Sequence, residues 1–254
     1  MVPPAFLEAL AIVVGAIVGS FLNVVIARLP LKESLVSPGS RCPWCRVPIR
    51  WFDNVPVLSF ALLRGRCRHC HERIAWRYPI VESVTAGLFG LAAWRIGARL
   101  ELIPALLLLG ALIAITGIDL EHQLIPDVIT LPGIIVGFAF SLLTASPWWL
   151  DSLMGIVLGA GIPFVVIVAS RGGMGGGDMK LCAMIGAFLG WKLAALTIFI
   201  AVLLGGATAV TLLLTGLKAR KDRIPFGPFL AASAALSLFC GETLLRWYWS
   251  GFGF

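Results

Sequence analysis

The sequence predicts an all-α polytopic membrane protein of about eight transmembrane helices, with one long zinc-ribbon loop on the cytoplasmic side. Three observations carry that expectation. Of the 254 residues, 59% are hydrophobic and only 13% charged, far more apolar than a soluble domain of this size needs to be. Most of the apolar residues fall in stretches long enough to cross a bilayer as helices. The basic residues are unevenly placed: of 20 Lys and Arg against 13 Asp and Glu, ten fall from Arg28 to Arg77, and the same stretch holds two close pairs of cysteines.

The first apolar stretch, about 5–27, has no small-residue cleavage site of the signal-peptide type and is expected to remain as a helix. Further spans are read at 79–96, 102–118, 128–144, 149–169, 179–189, 193–217 and 226–247. The segment 179–217 is too long for one crossing, so Gly190-Trp191-Lys192 is read as the turn between two. The sixth span is then short, and a tilted or re-entrant path suits it.

Charge supplies the orientation, because short loops rich in Lys and Arg stay in the cytoplasm. The loop after span one is strongly basic, and the loop after span seven carries Lys218, Arg220, Lys221 and Arg223. Both follow odd-numbered spans. The N-terminus and the aromatic C-terminus are therefore expected outside, with the segment 119–127 and the glycine run 172–177 on the cytoplasmic side. The basic stretch reads as a cytoplasmic loop beside anionic lipid. It contains no base-reading motif, so no nucleic-acid partner is expected.

Cys42-Pro43-Trp44-Cys45 and Cys67-Arg68-His69-Cys70 form two CxxC knuckles with 21 residues between them, the spacing of a four-cysteine zinc ribbon. A gap of two residues lets both thiolates of a knuckle reach one ion, and the second pair completes a closed tetrahedron. Disulfides are the alternative, which a cytoplasmic location disfavours. His69 and His71 offer substitute ligands, though four cysteines already satisfy the ion. A loop of this length with few aliphatic runs needs such a staple. Cys182 and Cys240 lie in apolar spans and read as small packing residues. The chain thus divides into a first transmembrane helix, 1–28, a four-cysteine zinc-binding loop, 29–78, and a multi-span part, 79–254.

Ionisable groups at membrane depth are costly and usually functional. Asp119 ends the apolar run at Thr116-Gly117-Ile118, and Asp178 starts another after Gly175-Gly176-Gly177. A buried carboxylate pair whose pKa values are pushed apart has one protonated and one ionised member, the state acid–base chemistry needs. The pair lies 59 positions apart in sequence, so their meeting depends wholly on helix packing. Asp127, after Pro126, reads as a helix cap, and Glu121 and His122 as loop residues in water. The glycine run lacks the Gly-Lys-Ser/Thr of a phosphate loop. Close backbone approach, including that of an extended peptide to the neighbouring carboxylate, suits it better. A hydrolase with paired carboxylates, a transporter using them as a proton relay, and a zinc-stabilised assembly protein without turnover are all open at this point.

Taken together, several elements resemble the prepilin peptidase family, the bifunctional type IV leader peptidases and N-methyltransferases, which are membrane aspartyl proteases of the GxGD type. The likeness is carried by Gly19-Ser20-Phe21-Leu22-Asn23 through Arg28-Leu29-Pro30, the two knuckles with Trp51-Phe52-Asp53-Asn54-Val55-Pro56 between them, Arg77-Tyr78-Pro79-Ile80-Val81-Glu82, Ile118-Asp119 with Ile125-Pro126-Asp127, Gly175-Gly176-Gly177-Asp178, and Ile224-Pro225-Phe226-Gly227-Pro228. The resemblance implies catalytic aspartates at Asp119 and Asp178 and zinc-binding cysteines at Cys42, Cys45, Cys67 and Cys70. It also implies a peptidase of the bacterial inner membrane. Such an enzyme removes the basic leader from type IV prepilins or type II secretion pseudopilins after a glycine, then methylates the new N-terminus with S-adenosylmethionine. On that reading the 29–78 loop is associated with methyl transfer and the 79–254 part with peptidolysis. The sequence has no GxGxxG fingerprint for the methyl donor, so the donor is expected from the resemblance alone. The leader and the long loop are both basic, so apolar docking of the prepilin helix, with local contact to Glu121, Asp127 or the catalytic carboxylates, is the expected mode of capture.

Overall fold

A computed structural model describes residues 3–170, 173–216 and 224–251. Among these the chain is helical, with no β-structure beyond two isolated bridges in the cysteine loop. The long helices are α1 (Pro4–Arg28), α3 (Arg77–Ile96), α4 (Leu102–His122), α5 (Asp127–Ser141), α6 (Trp149–Ala169), α7 (Gly176–Leu214) and α8 (Gly227–Gly251). The short helix α2 (Leu58–Leu62) lies in the loop. Five of them, α1, α4, α6, α7 and α8, are long and apolar enough to cross a membrane. The expected basic cluster at 218–223 lies outside the described residues, as does Gly172.

The chain forms two compact units, Met1–Leu102 and Ile103–Phe254. In the first, α1 and α3 pack antiparallel through glycines. A Cβ on Gly15 would meet the Ala86 Cα at 2.8 Å, and one on Gly19 would meet the Glu82 Cα at 2.7 Å. Neither site has room for a larger residue, so the two backbones come into contact, as small residues permit between membrane helices.

In the second unit α7 carries the architecture. Its residues from Leu181 to Gly190 are all buried, the mark of a helix surrounded by others. The expected break falls at Gly190, whose φ of 76° and ψ of 171° end the helical path. Before it, α6 runs antiparallel: Gly155 lies against Gly186, and Gly159 against Cys182. After it, Leu193 packs on Gly241, and Gly205 packs on Phe226 and Phe229, so the second half runs antiparallel to α8. The chain therefore reverses at a single glycine, without the three-residue loop the sequence suggested. Counted as two, α7 brings the long helices to the expected eight. Its first half spans about 20 Å at the usual helical rise, short of a hydrocarbon core.

The α6–α7 seam yields one stability prediction. The backbone oxygens of Gly155 and Gly186 occupy the positions where each other's Cβ would stand, and Ser152 donates to the Ala187 carbonyl at 2.7 Å beside them. Gly186→Leu overfills this contact and is expected to cost at least about 1–3 kcal/mol. The measurement is thermal unfolding in detergent; an unchanged midpoint would refute the close packing.

Candidate active site and metal centre

Asp119 does not end its helix, as the sequence suggested. Helix α4 continues to His122, which places Asp119 a turn inside the end, beside the fully buried Ile115 and Ile118, and leaves it 5% exposed. Its Oδ2 accepts the backbone N–H of Gly227 at 2.9 Å. Gly227 opens α8, so that N–H is one of the donors a helix start leaves without an internal partner. The approach requires glycine: a Cβ at 227 would stand 2.7 Å from Asp119 Oδ2 and 3.1 Å from its Cγ.

Asp178 is the third residue of α7 and is half-buried. Its Oδ2 accepts the N–H of Gly175 at 3.2 Å, while its own N–H donates to the Gly175 carbonyl at 3.1 Å. This reciprocal arrangement caps the helix. The carboxylate is not confined to that duty, because it also lies within electrostatic reach of Asp119. The two aspartates, with α5 and α6 between them in sequence, thus come close enough for Asp119 to act on Asp178. Gly177 assists: a Cβ there would lie 2.9 Å from the Ile125 Cβ, so the start of α7 sits directly on the segment that follows α4. At Gly176 the Cβ position faces open space.

Asp127 is not the helix cap expected of it. It is the first residue of α5, makes no capping bond, and instead receives the Lys180 Nζ at 2.7 and 2.8 Å. Its charge is still well placed in a first turn. Lys180 is partly exposed and directly precedes the buried run of α7 that starts at Leu181. Glu121 and His122 are exposed as expected, but in the last turn of α4 and not in a loop. Sequence reasoning also passed over Gly227. The signal was available in Pro225-Phe226-Gly227-Pro228, where a glycine at a helix start stands between two prolines.

The cysteine loop folds as two copies of one turn. Cys42 N–H donates to the Val47 carbonyl and Arg46 N–H to the Cys42 carbonyl; Cys67 with Glu72 and His71 with Cys67 repeat the pattern. Arg46 and His71 both take positive φ, 58° and 59°, and the bridges Arg41–Pro48 and Arg66–Arg73 close each turn. The four Sγ atoms of Cys42, Cys45, Cys67 and Cys70 lie within 4.8 Å of one another, with Cys42 and Cys70 at 3.7 Å. That is far beyond a disulfide and matches the edge of about 3.8 Å that Zn–S bonds of about 2.3 Å give a tetrahedron. The backbone N–H groups of Cys70 and His69 bring the Cys67 thiol down to about 7. The Glu72 N–H pulls on Cys70 in the same sense, but desolvation and bonds to the other thiols push it up to about 12. Four thiols sharing protons in this way are the ligand set a divalent cation displaces protons from. Arg68, inside the second knuckle, grips Asp53 at 2.6–3.0 Å and holds its carboxyl below the usual range. This tie is therefore complete above the ordinary carboxylate pKa and is lost only as pH falls through the lower folded value. Cys182 is buried against Gly159, in the packing role expected of it.

The second unit thus defines a class: multi-pass helical membrane proteins in which acidic helix ends converge. Comparison with known proteins goes further, and the chain belongs to the type IV leader peptidase family. Residues 13–96 match the Bacterial Peptidase A24 N-terminal domain, and residues 106–210 match the Type IV leader peptidase family. A protein of Bacillus subtilis named prepilin leader peptidase/N-methyltransferase is 37% identical over 92% of this chain and 94% of its own length. Proteins of the same name from Pseudomonas aeruginosa and Neisseria gonorrhoeae are 36% and 35% identical over 96% and 95% of this chain, each along 93% of its own length. No solved structure matches the chain.

Proposed function

We propose that this protein is a prepilin leader peptidase with N-methyltransferase activity, acting on type IV prepilins or type II secretion pseudopilins in the bacterial inner membrane. The observation that supports the reading is that Asp119, in the last turn of α4, lies within electrostatic reach of Asp178, in the first turn of α7. One of the pair takes a proton from water, which attacks the carbonyl of the glycine ending the leader. The other, protonated, polarises that carbonyl and then protonates the departing amine. Each carboxylate is aimed in advance by one backbone amide, Gly227 for Asp119 and Gly175 for Asp178. The open face at Gly176 offers an extended peptide an approach to the pair.

The positive-inside rule, applied to the basic stretch 28–77, supports a cytoplasmic location for the Asp119–Asp178 pair and an outside location for both termini. The apolar prepilin helix docks from the lipid, bringing its leader to the carboxylates. With Lys180 already neutralising Asp127, attraction for the basic leader centres on the catalytic pair itself. Cys42, Cys45, Cys67 and Cys70 hold a structural zinc ion that folds the 29–78 loop. S-adenosylmethionine, when bound, supplies the methyl group for the new N-terminus, and the 29–78 loop is associated with that step.

Two measurements test these statements. Incubation of a prepilin with purified protein, followed by mass spectrometry, is expected to reveal loss of the leader, then a single-methyl increment only when S-adenosylmethionine is present. An uncut prepilin with folded protein would sink the peptidase reading. Elemental analysis is expected to find about one zinc per chain, falling more than tenfold in Cys67→Ser; equal zinc in the two proteins would rule out this ligand set.

A further inference from the structure

Glu82 is the one buried carboxylate among the described residues of the first unit, and peptidolysis by Asp119 and Asp178 makes no use of it. It lies on α3 where Gly19 of α1 admits the two backbones to contact. Its Oε2 accepts the Val57 N–H at 2.7 Å, and Ser20 contributes a side-chain hydrogen bond. No cation pairs with it among the described residues. A carboxylate withdrawn from water normally requires such a partner, or the charge is costly.

A second group beside it has the same deficit. Asn23, 1% exposed, donates its Nδ2 to the carbonyls of Gly19 and Tyr78, one turn along α1 and one turn before Glu82 on α3. Its Oδ1 is buried with no hydrogen-bond partner. A carboxylate has about four acceptor positions and an amide oxygen two, so Glu82 and Asn23 together present several open acceptors. The complement of such a set is a group that carries several N–H donors and a positive charge.

The cover over Glu82 is strained. Val57 has φ 60° and ψ −48°, with Leu58 N–H donating to the Pro56 carbonyl at 2.6 Å. This is the γ-turn of positive φ, rare and costly for a β-branched residue. Strain of this kind gathers at clamps and switch segments.

We infer that Glu82 and Asn23 form a receptor for a primary ammonium group used in methyl transfer. The inference rests on the proposed methyltransferase activity. Two sources present that chemistry: the free N-terminus of a cleaved pilin, and the amino-acid end of S-adenosylmethionine. In either case the receptor orients one partner of the transfer, in the unit that lacks the paired aspartates.

The test uses the full chain in detergent, with leader cleavage and zinc content as folding controls for Glu82→Gln, whose amide oxygen still accepts the Val57 N–H. Methylation of a cleaved pilin is expected to fall at least 30-fold while cleavage changes less than twofold. Calorimetry with S-adenosylhomocysteine and with 5′-methylthioadenosine, which lacks the amino-acid ammonium, separates the sources. If the donor's ammonium binds here, wild type favours the first by more than tenfold and Glu82→Gln loses that preference. If the peptide's ammonium binds here, a pilin N-terminal peptide binds wild type at least tenfold better free than N-acetylated, and Glu82→Gln abolishes the difference. Wild-type methylation by a folded Glu82→Gln overturns the inference. So does wild-type protein that ignores the ammonium on both ligands, a result that stands even if the variant fails to fold. Failure of the methyltransferase reading itself is distinct: wild type then transfers no methyl to any cleaved substrate.

Discussion

Asp119→Asn and Asp178→Asn are each expected to reduce leader cleavage at least about 10³-fold, within the range that a general acid or base contributes. The fold gives the substitutions their meaning. An Asn at 119 still offers an oxygen to the Gly227 N–H, and an Asn at 178 still offers one to the Gly175 N–H, so both supporting bonds survive. Asn is also among the residues that serve well near helix starts. What disappears is the ability to take up and return a proton. Because the two act on one proton inventory, the double variant is expected to be little worse than either single one. Methylation of a pilin supplied already cleaved is expected to continue. Time courses of leader loss by mass spectrometry decide the matter, and cutting within tenfold of wild type by either variant would remove that residue from the chemistry.

The sequence made the apolar spans, the two CxxC knuckles and both aspartates legible, because each depends on local composition or short spacing. What it hid depends on approach between distant segments. Asp119 is buried by one further turn of α4, through Leu120-Glu121-His122, which the polar composition of those residues concealed. Asp127 reads as a cap from its position after Pro126, yet Lys180, on a different helix, claims it. Gly190 was recognised as a break, but only packing of Leu193 on Gly241 and of Gly205 on Phe226 reveals that the chain doubles back there. Val57 carried no signal at all: a valine at φ 60° opposes its own preference and is held by Glu82, a residue 25 positions away.

Gly227→Ala is the most selective probe of the site, because it adds one methyl group at the point where α8 supports Asp119. The new Cβ would stand 2.7 Å from Oδ2 and 3.1 Å from Cγ, closer than nonbonded carbon and oxygen tolerate, so the carboxylate or the helix start must move. Asp119 has little freedom to absorb the shift, with Ile115 and Ile118 fully buried beside it. Displacement of a reacting group by about 1 Å costs on the order of 10²-fold in rate, and cleavage is expected to fall by that amount. Stability is expected to hold, since Ala is a better helix former than Gly and the change removes no apolar contact. Gly206→Ala is the matched control: it makes the same substitution in α7, where the Cβ position meets nothing within 4 Å, and it should cut at the wild-type rate. Loss of cleavage in Gly227→Ala with an unchanged unfolding midpoint would identify the Gly227 amide as the group that positions Asp119. Wild-type cleavage by Gly227→Ala would mean that the 2.9 Å bond does not set the geometry of the reaction.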